Sequence, residues 1–253
     1  MLENAVKTKL RNKQPVLGVL SDSPDPTVAE LCGIAGLDFY LIDGEHGAIA
    51  ISQVPGIVRA CELSGITPLA RVGSNDPKQI LSYLDAGVMG IMMPGISTVA
   101  DLEAFVRAVK YPPAGNRGFG LVRANQYMQG EMSQGDYVQF ANDQLLVLPQ
   151  IEDSEAVENL EALCQVDGVD GFVVGPRDLA MSMGFYDGLG HNEVKKAIAG
   201  VVETVLAAGL VIGTTAATGD QARALIDRGV LFCLNTLPGL LKSAASDFIK
   251  GKA

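Results

Sequence analysis

Asp43-Gly44-Glu45-His46 places three ionisable side chains within four residues, directly after the apolar run Phe39-Tyr40-Leu41-Ile42. The chain has only two histidines. An imidazole beside carboxylates at the end of a buried strand suits proton transfer near neutral pH. The same tetrapeptide also reads as a polar loop with an acid capping the next helix. Further chemistry-bearing residues sit in comparable places: Arg71 near the end of one apolar run, Gln150, Glu152 and Asp153 at the end of another, and Gly175-Pro176-Arg177-Asp178 after a third. Glu152 and Asp178, completed by water and a chelating substrate, would make a hard-oxygen site for Mg²⁺, Mn²⁺ or a similar divalent ion. Each has a structural alternative as an acid in the first turn of a helix, and Arg71 has one as an ion-pair partner. Gly175 permits close backbone approach, Pro176 limits the turn, and the N–H groups of a strand-to-helix turn favour a carboxylate.

Eight short apolar runs of strand length position these residues: 16–20, 39–43, 67–72, 90–94, 145–151, 171–175, 210–214 and 231–235. Most are continuous rather than alternating, as expected for strands buried on both faces. Helical patterns over 27–35, 51–63, 77–85, 98–109, 154–164, 193–208 and 220–227 fall between them, several opened by Ser, Thr or Asp and closed by glycine. Alternating βα units in a chain of 253 residues predict a single α/β domain, a TIM (β/α)8 barrel over 1–253, with a doubly wound open sheet as the other arrangement. A parallel barrel would gather every strand's C-terminal end, and so every residue above, on one face. The connection 110–142 is longer than the rest and reads as a lid or subunit contact, with a helix near 133–140. A last helix, about 238–249, either packs on the barrel or reaches a neighbouring subunit.

A net charge of −10 argues against nucleic acid or an anionic membrane as partner. No apolar stretch is long enough to span a bilayer, and residues 1–7 lack the apolar segment of a signal peptide, so the expected location is cytoplasmic. Cys32, Cys61, Cys164 and Cys233 have no CxxC pairing and read as buried free thiols. Gly115-Asn116-Arg117-Gly118-Phe119-Gly120 follows a Pro-Pro turn instead of a strand and is not a dinucleotide fingerprint. His191, in a glycine-rich stretch, reads as a surface histidine.

The ordered series LIDGEHG, LARVG, YPPAGNRGFG, LPQIED and GFVVGPRDLA covers nearly the whole chain and resembles the HpcH/HpaI family of class II pyruvate aldolases. The resemblance implies a phosphoenolpyruvate/pyruvate-type barrel that cleaves a 4-hydroxy-2-oxo acid to pyruvate, or a related 2-oxo acid, and an aldehyde. It implies His46 paired with Asp43 as catalytic base, Arg71 on the keto oxygen, Gln150 and the Gly175, Pro176, Arg177 and Asp178 turn at the substrate, and Glu152 with Asp178 as ligands of Mg²⁺, Mn²⁺ or Co²⁺. Glu45 is expected to support the site rather than ligate. A homo-oligomer, a hexamer built as a trimer of dimers with exchanged C-terminal helices, is implied as well. Arg177 stands where many relatives have a small residue, and 213–219 is smaller and more polar than an apolar pocket wall; both bear on the aldehyde. The competing readings are a phosphoenolpyruvate-type or acyl-CoA lyase and a non-catalytic 2-oxo-acid-binding protein. The acidic chain offers no basic landing site for CoA.

Overall fold

In the computed structural model, which describes residues 3–252, eight parallel strands close into a barrel in sequence order. They are β1 (Val16–Ser21), β2 (Phe39–Gly44), β3 (Thr67–Val72), β4 (Gly90–Met93), β5 (Leu146–Ile151), β6 (Gly171–Val174), β7 (Val211–Thr215) and β8 (Phe232–Thr236). Each lies within one residue of its expected bounds, so the open sheet is excluded. Residues 1, 2 and 253, which belong to the expected domain and in part to the leader argument, lie outside the described residues. The four cysteines are free; Cys61 and Cys233 are buried, while Cys32 and Cys164 are only half-buried.

Strand periodicity divides the core in two. One set of side chains, including Tyr40, Ile42, Ala70, Ile91 and Val147, packs outward against the helices. The alternate set, including Phe39, Leu41, Leu69, Leu146, Leu148 and Phe232, fills the barrel interior. Phe39 and Phe232 stack there with ring centroids 4.2 Å apart. Gly18 makes room for them, since a Cβ at that position would lie 2.4 Å from the Phe39 ring. Following the inward set up each strand leads from hydrocarbon to chemistry: Phe39, Leu41, Asp43 on β2; Leu69, Arg71 on β3; Leu146, Leu148, Gln150 and then Glu152 on β5.

The opposite, N-terminal end is closed by a helix that the sequence pattern did not single out, Ala5–Arg11. Its Val6 and Leu10 join the interior cluster, and Asn4 donates from Nδ2 to the carbonyls of Met89 and Gln144, both at 2.9 Å. Lys7 reaches the Leu145 carbonyl and Asp170 Oδ1, each at 2.8 Å. Elsewhere the expected 154–164 helix is interrupted at Asn159, whose side chain bonds the Ser97 carbonyl at 2.9 Å. The long connection holds a 3₁₀ segment, Arg123–Met128, and the helix Gln134–Gln144. The helix after β8, Leu237–Phe248, buries none of its side chains.

Candidate active site

Parallel register sets Asp43 of β2 directly beside Arg71 of β3. Both point inward at the C-terminal rim, and the guanidinium grips the carboxylate side-on: Nε to Oδ1 at 3.1 Å and Nη2 to Oδ2 at 2.7 Å. The backbone N–H groups of Glu45 and His46 also donate to Asp43 Oδ1, each at 3.1 Å. Burial alone would raise the Asp43 carboxyl, but the Arg71 hydrogen bonds and charge, with the two backbone donors, outweigh it and hold Asp43 below the usual carboxylate range. Glu45 Oε2 faces Arg71 Nη1 at 3.2 Å, so the cation stands between two carboxylates.

One expected pairing is corrected. Asp43 accepts from the backbone N–H of His46 rather than from its ring, and its carboxylate is gripped by Arg71. The imidazole instead neighbours Glu45, with Nε2 3.7 Å from Oε2, and its side chain is 66% exposed.

Across the rim, Glu152 extends β5 by one residue and accepts from the Gly95 N–H at 2.8 Å. Gly95 has φ of 64°, a conformation glycine adopts at little cost. Burial lifts the Glu152 carboxyl above its ordinary range against that hydrogen bond, and the charges of Glu45 and Asp178 lift it further. Asp178 lies in the first turn of the helix Pro176–Ser182, beside exposed Arg177. Gly175 is needed for closeness: a Cβ there would lie 2.6 Å from Gln150 Nε2 and 2.8 Å from Glu152 Oε2. Asp153, by contrast, caps a helix, accepting from Ala156 N at 2.7 Å and Ser97 Oγ at 2.5 Å.

These residues suit a divalent cation. Glu45 Oε2 and Gln150 Oε1 are buried with no hydrogen-bond partner, and burial, with the charges of Glu45 and Asp178, raises the Glu152 carboxyl. Among the described residues no three His, Cys, Asp or Glu side chains form a ready-made ligand cluster. An ion of the Mg²⁺ type needs only one or two protein carboxylates, with water and substrate oxygens completing its shell.

His191 lies away from these groups, its Nε2 on Asp187 at 2.6 Å and its ring stacked on Phe185. Sequence reading under-weighted Glu45 and did not find Gly95. The signal for Glu45 was its place between a strand end and a histidine, but its contact with Arg71 depends on strand pairing across 26 residues of separation in number.

Comparison with known proteins gives a consistent result. The profile of the HpcH/HpaI aldolase/citrate lyase family matches residues 17–239. A hydroxypyruvate/pyruvate aldolase of Cupriavidus necator is 35% identical over 245 residues, covering 96% of this chain and 90% of that protein. A 4-hydroxy-2-oxo-heptane-1,7-dioate aldolase of Shigella sonnei is 36% identical over 233 residues, 91% of this chain and 87% of that protein. The crystal structure of an HpcH/HpaI aldolase/citrate lyase family protein from Burkholderia cenocepacia superposes with a TM-score of 0.91 at 30% identity, covering 99% of this chain and all of that one.

Proposed function

The chain belongs to the HpcH/HpaI aldolase/citrate lyase family and is an aldolase that cleaves a 4-hydroxy-2-oxo acid to pyruvate and an aldehyde; from that premise we propose that Glu152 and Asp178 hold its divalent cation, that Arg71 polarises the 2-oxo group, and that His46 carries the proton of the 4-hydroxyl. The observation that carries the assignment is the rim itself, where an arginine clamped by Asp43 stands beside half-buried Glu45, and one oxygen each of Glu45 and Gln150 has no hydrogen-bond partner.

Retro-aldol cleavage leaves the electrons of the C3–C4 bond on pyruvate as an enolate, so positive charge must be fixed near the 2-oxo group. A divalent cation supplies that charge when bound. Arg71 adds a permanent cation whose direction is set by Asp43, leaving the N–H bonds that Asp43 does not take at the end of the guanidinium for substrate. The imidazole, at the rim and accessible, removes the hydroxyl proton as the aldehyde forms. Gly175 keeps the floor of the pocket low enough for Gln150 and Glu152 to meet substrate together, and the Gly175–Asp178 turn directs backbone N–H groups toward its carboxylate. No lysine is needed as a Schiff-base nucleophile: Lys110 lies at the far end of the barrel, on the Asn142 and Leu145 carbonyls.

The test is pyruvate release from a panel of 4-hydroxy-2-oxo acids, abolished by EDTA and restored by Mg²⁺, Mn²⁺ or Co²⁺. Borohydride trapping of a covalent adduct with substrate would refute the assignment. The same reading makes the helix Leu237–Phe248 a subunit contact within a hexamer of three dimers, supported by Leu241 and Phe248, which are 67% and 88% exposed. Light scattering distinguishes that hexamer from a monomer. Among the described residues no helix is long and apolar enough to cross a membrane, and a cytoplasmic location is part of the proposal.

A further inference from the structure

We infer that the cavity under the long connection 110–142 is a second ligand site, and that it takes a small monocarboxylate with an apolar body. The site lies beside the N-terminal ends of β4 and β5, away from the rim, and does not depend on the aldolase reading.

The cavity, about 320 Å³, lies between the connection, the helices Val54–Ser64 and Pro77–Ala86, and the residues entering β4 and β5. That size is found among small-molecule sites. Among the described residues, three buried side-chain atoms in this region have no hydrogen-bond partner: Tyr111 Oη, Tyr137 Oη and Arg117 Nε. Tyr137 and Arg117 line the cavity and are only 2% and 5% exposed. Tyr111 stands beside them, its ring centroid 4.5 Å from the Arg117 guanidinium carbon and its ring edge-on to Tyr137. Native structures rarely bury such groups unpaired without a use for them.

The kind of group decides the ligand. A guanidinium nitrogen only donates, and burial raises both phenols, so they keep their hydrogens. Even with one hydroxyl donating to the other, a hydroxyl hydrogen and the Arg117 Nε–H still lack an acceptor. At the rim the atoms without a hydrogen-bond partner, Glu45 Oε2 and Gln150 Oε1, are acceptors and call for a cation; here they are donors and call for an oxyanion. Arg117 gives Nη2 to Asp85 at 2.8 Å and Arg123 is paired with Glu62, so the walls carry no net positive charge. The cavity therefore offers hydrogen bonds more than Coulomb attraction. That suits one carboxylate, and Glu62 on the same wall weighs against the higher charge of phosphate. Leu84, Val88 and Leu145 supply an apolar wall for the hydrocarbon. Gln126 and Tyr127, also on the wall, have φ of 54° and 55°, and Met128 follows at 54°. Side chains other than glycine take this left-handed conformation at a cost and usually singly, and such strain collects at ligand clamps.

The experiment titrates benzoate into the full chain, labelled with ¹⁵N at arginine and kept in EDTA, and follows the Arg117 Nε–H resonance. Arg117→Lys identifies that resonance; should the variant not fold, the nuclear Overhauser contact with the Tyr111 ring does so instead. The expected result is a saturable shift with a dissociation constant of about 1 mM or lower. Tyr137→Phe keeps the ring and should weaken binding about tenfold. Its melting temperature should equal or exceed the parent's, because the hydroxyl it removes has no partner in the free protein. Arg71→Lys should bind benzoate as the parent does, and inorganic phosphate should cause no saturable shift. The absence of a shift with benzoate, or an affinity unchanged in Tyr137→Phe, overturns the inference. So does a Tyr137→Phe variant that melts well below the parent, since the hydroxyl would then be satisfied within the fold. Loss of binding in Arg71→Lys would put benzoate at the rim, and phosphate binding as tightly as benzoate would refute a carboxylate site. A change of molar mass in light scattering on adding benzoate would show that a second copy of the chain fills the cavity, and overturns the inference as well.

Discussion

At the C-terminal end of the barrel the buried cation is Arg71, clamped by Asp43 and facing Glu45; at the N-terminal end the buried cations are Lys7 and Lys110, which share the Leu145 carbonyl. The floor satisfies its charges. Lys7 adds the Asp170 carboxylate at 2.8 Å, and Lys110 adds the Asn142 carbonyl at 2.7 Å. The rim is less complete: Gln150 Oε1 is buried without a hydrogen-bond partner, Glu45 Oε2 has only the Arg71 charge, and Glu152 is pushed up by burial and by its neighbours' charge. Fully paired polar groups hold a fold together, whereas unpaired ones cost stability and are retained where something else binds. The contrast therefore separates residues that keep the barrel closed from residues for which we propose a role in binding substrate and cation.

Removing the carboxylates proposed as ligands should break this contrast most strongly. Glu152→Ala and Asp178→Ala are each expected to lower kcat/KM by about a thousandfold or more, the scale of the several kcal/mol that a bound metal supplies. Calorimetric titration with Mn²⁺ should register the loss of binding, while melting temperatures hold or rise as mutual repulsion is relieved. Arg71→Lys comes next. A single ammonium cannot keep the side-on grip on Asp43 and still present N–H groups to substrate, so kcat should fall roughly a hundredfold; a variant with near-parental kcat would show that any cation suffices.

Gly175→Ala is milder and sharper. Its φ of −94° imposes no backbone strain, so the effect is local: the methyl displaces Gln150 and Glu152. KM and the Mn²⁺ dissociation constant should both rise by about tenfold or less, with the fold's stability little changed, as denaturation alongside kinetics would reveal.

The smallest effect belongs to the floor and should spare turnover altogether. Burial, joined by the charge of Lys7, lowers Lys110 from its ordinary 10.5 to about 8. Its folded value lies below its unfolded one, so between about 8 and 10.5 the unfolded chain binds more protons and this group's contribution to stability rises with pH. Burial acts the opposite way on Cys61, raised to about 12, and on Cys233, raised to about 11, whose contributions fall over part of the same range. The clean measurement is therefore the difference in unfolding free energy between the parent and Lys110→Met, which should shift in the parent's favour as pH rises through that window. A flat difference would mean that Lys110 keeps its ordinary value in the folded state, as a solvated amine would.

How much of this was readable from the sequence depends on the range of the interaction. All eight strands fell within one residue of expectation because buried parallel strands are short continuous apolar runs, and the residues at their ends stood out by type. Their partners did not. Asp43 and His46 are only three positions apart in the chain, which suggested a pair, yet Asp43 lies in register with Arg71 of the next strand and bonds it instead. Lys7 and Lys110 resemble any surface lysine until closure brings the Leu145 carbonyl between them. The helix Ala5–Arg11 is too short for its two buried apolar residues to form a convincing period.

That first helix has a consequence for how the molecule assembles. Its anchors at Gln144 and Leu145 lie 140 and 138 residues further along the chain. During synthesis it emerges before its socket, with Val6 and Leu10 exposed, and must wait for the 138 residues that separate Lys7 from Leu145. Helix Ala5–Arg11 is thus a stopper made before the bottle, and its docking reports that β5 and β6 have taken their places.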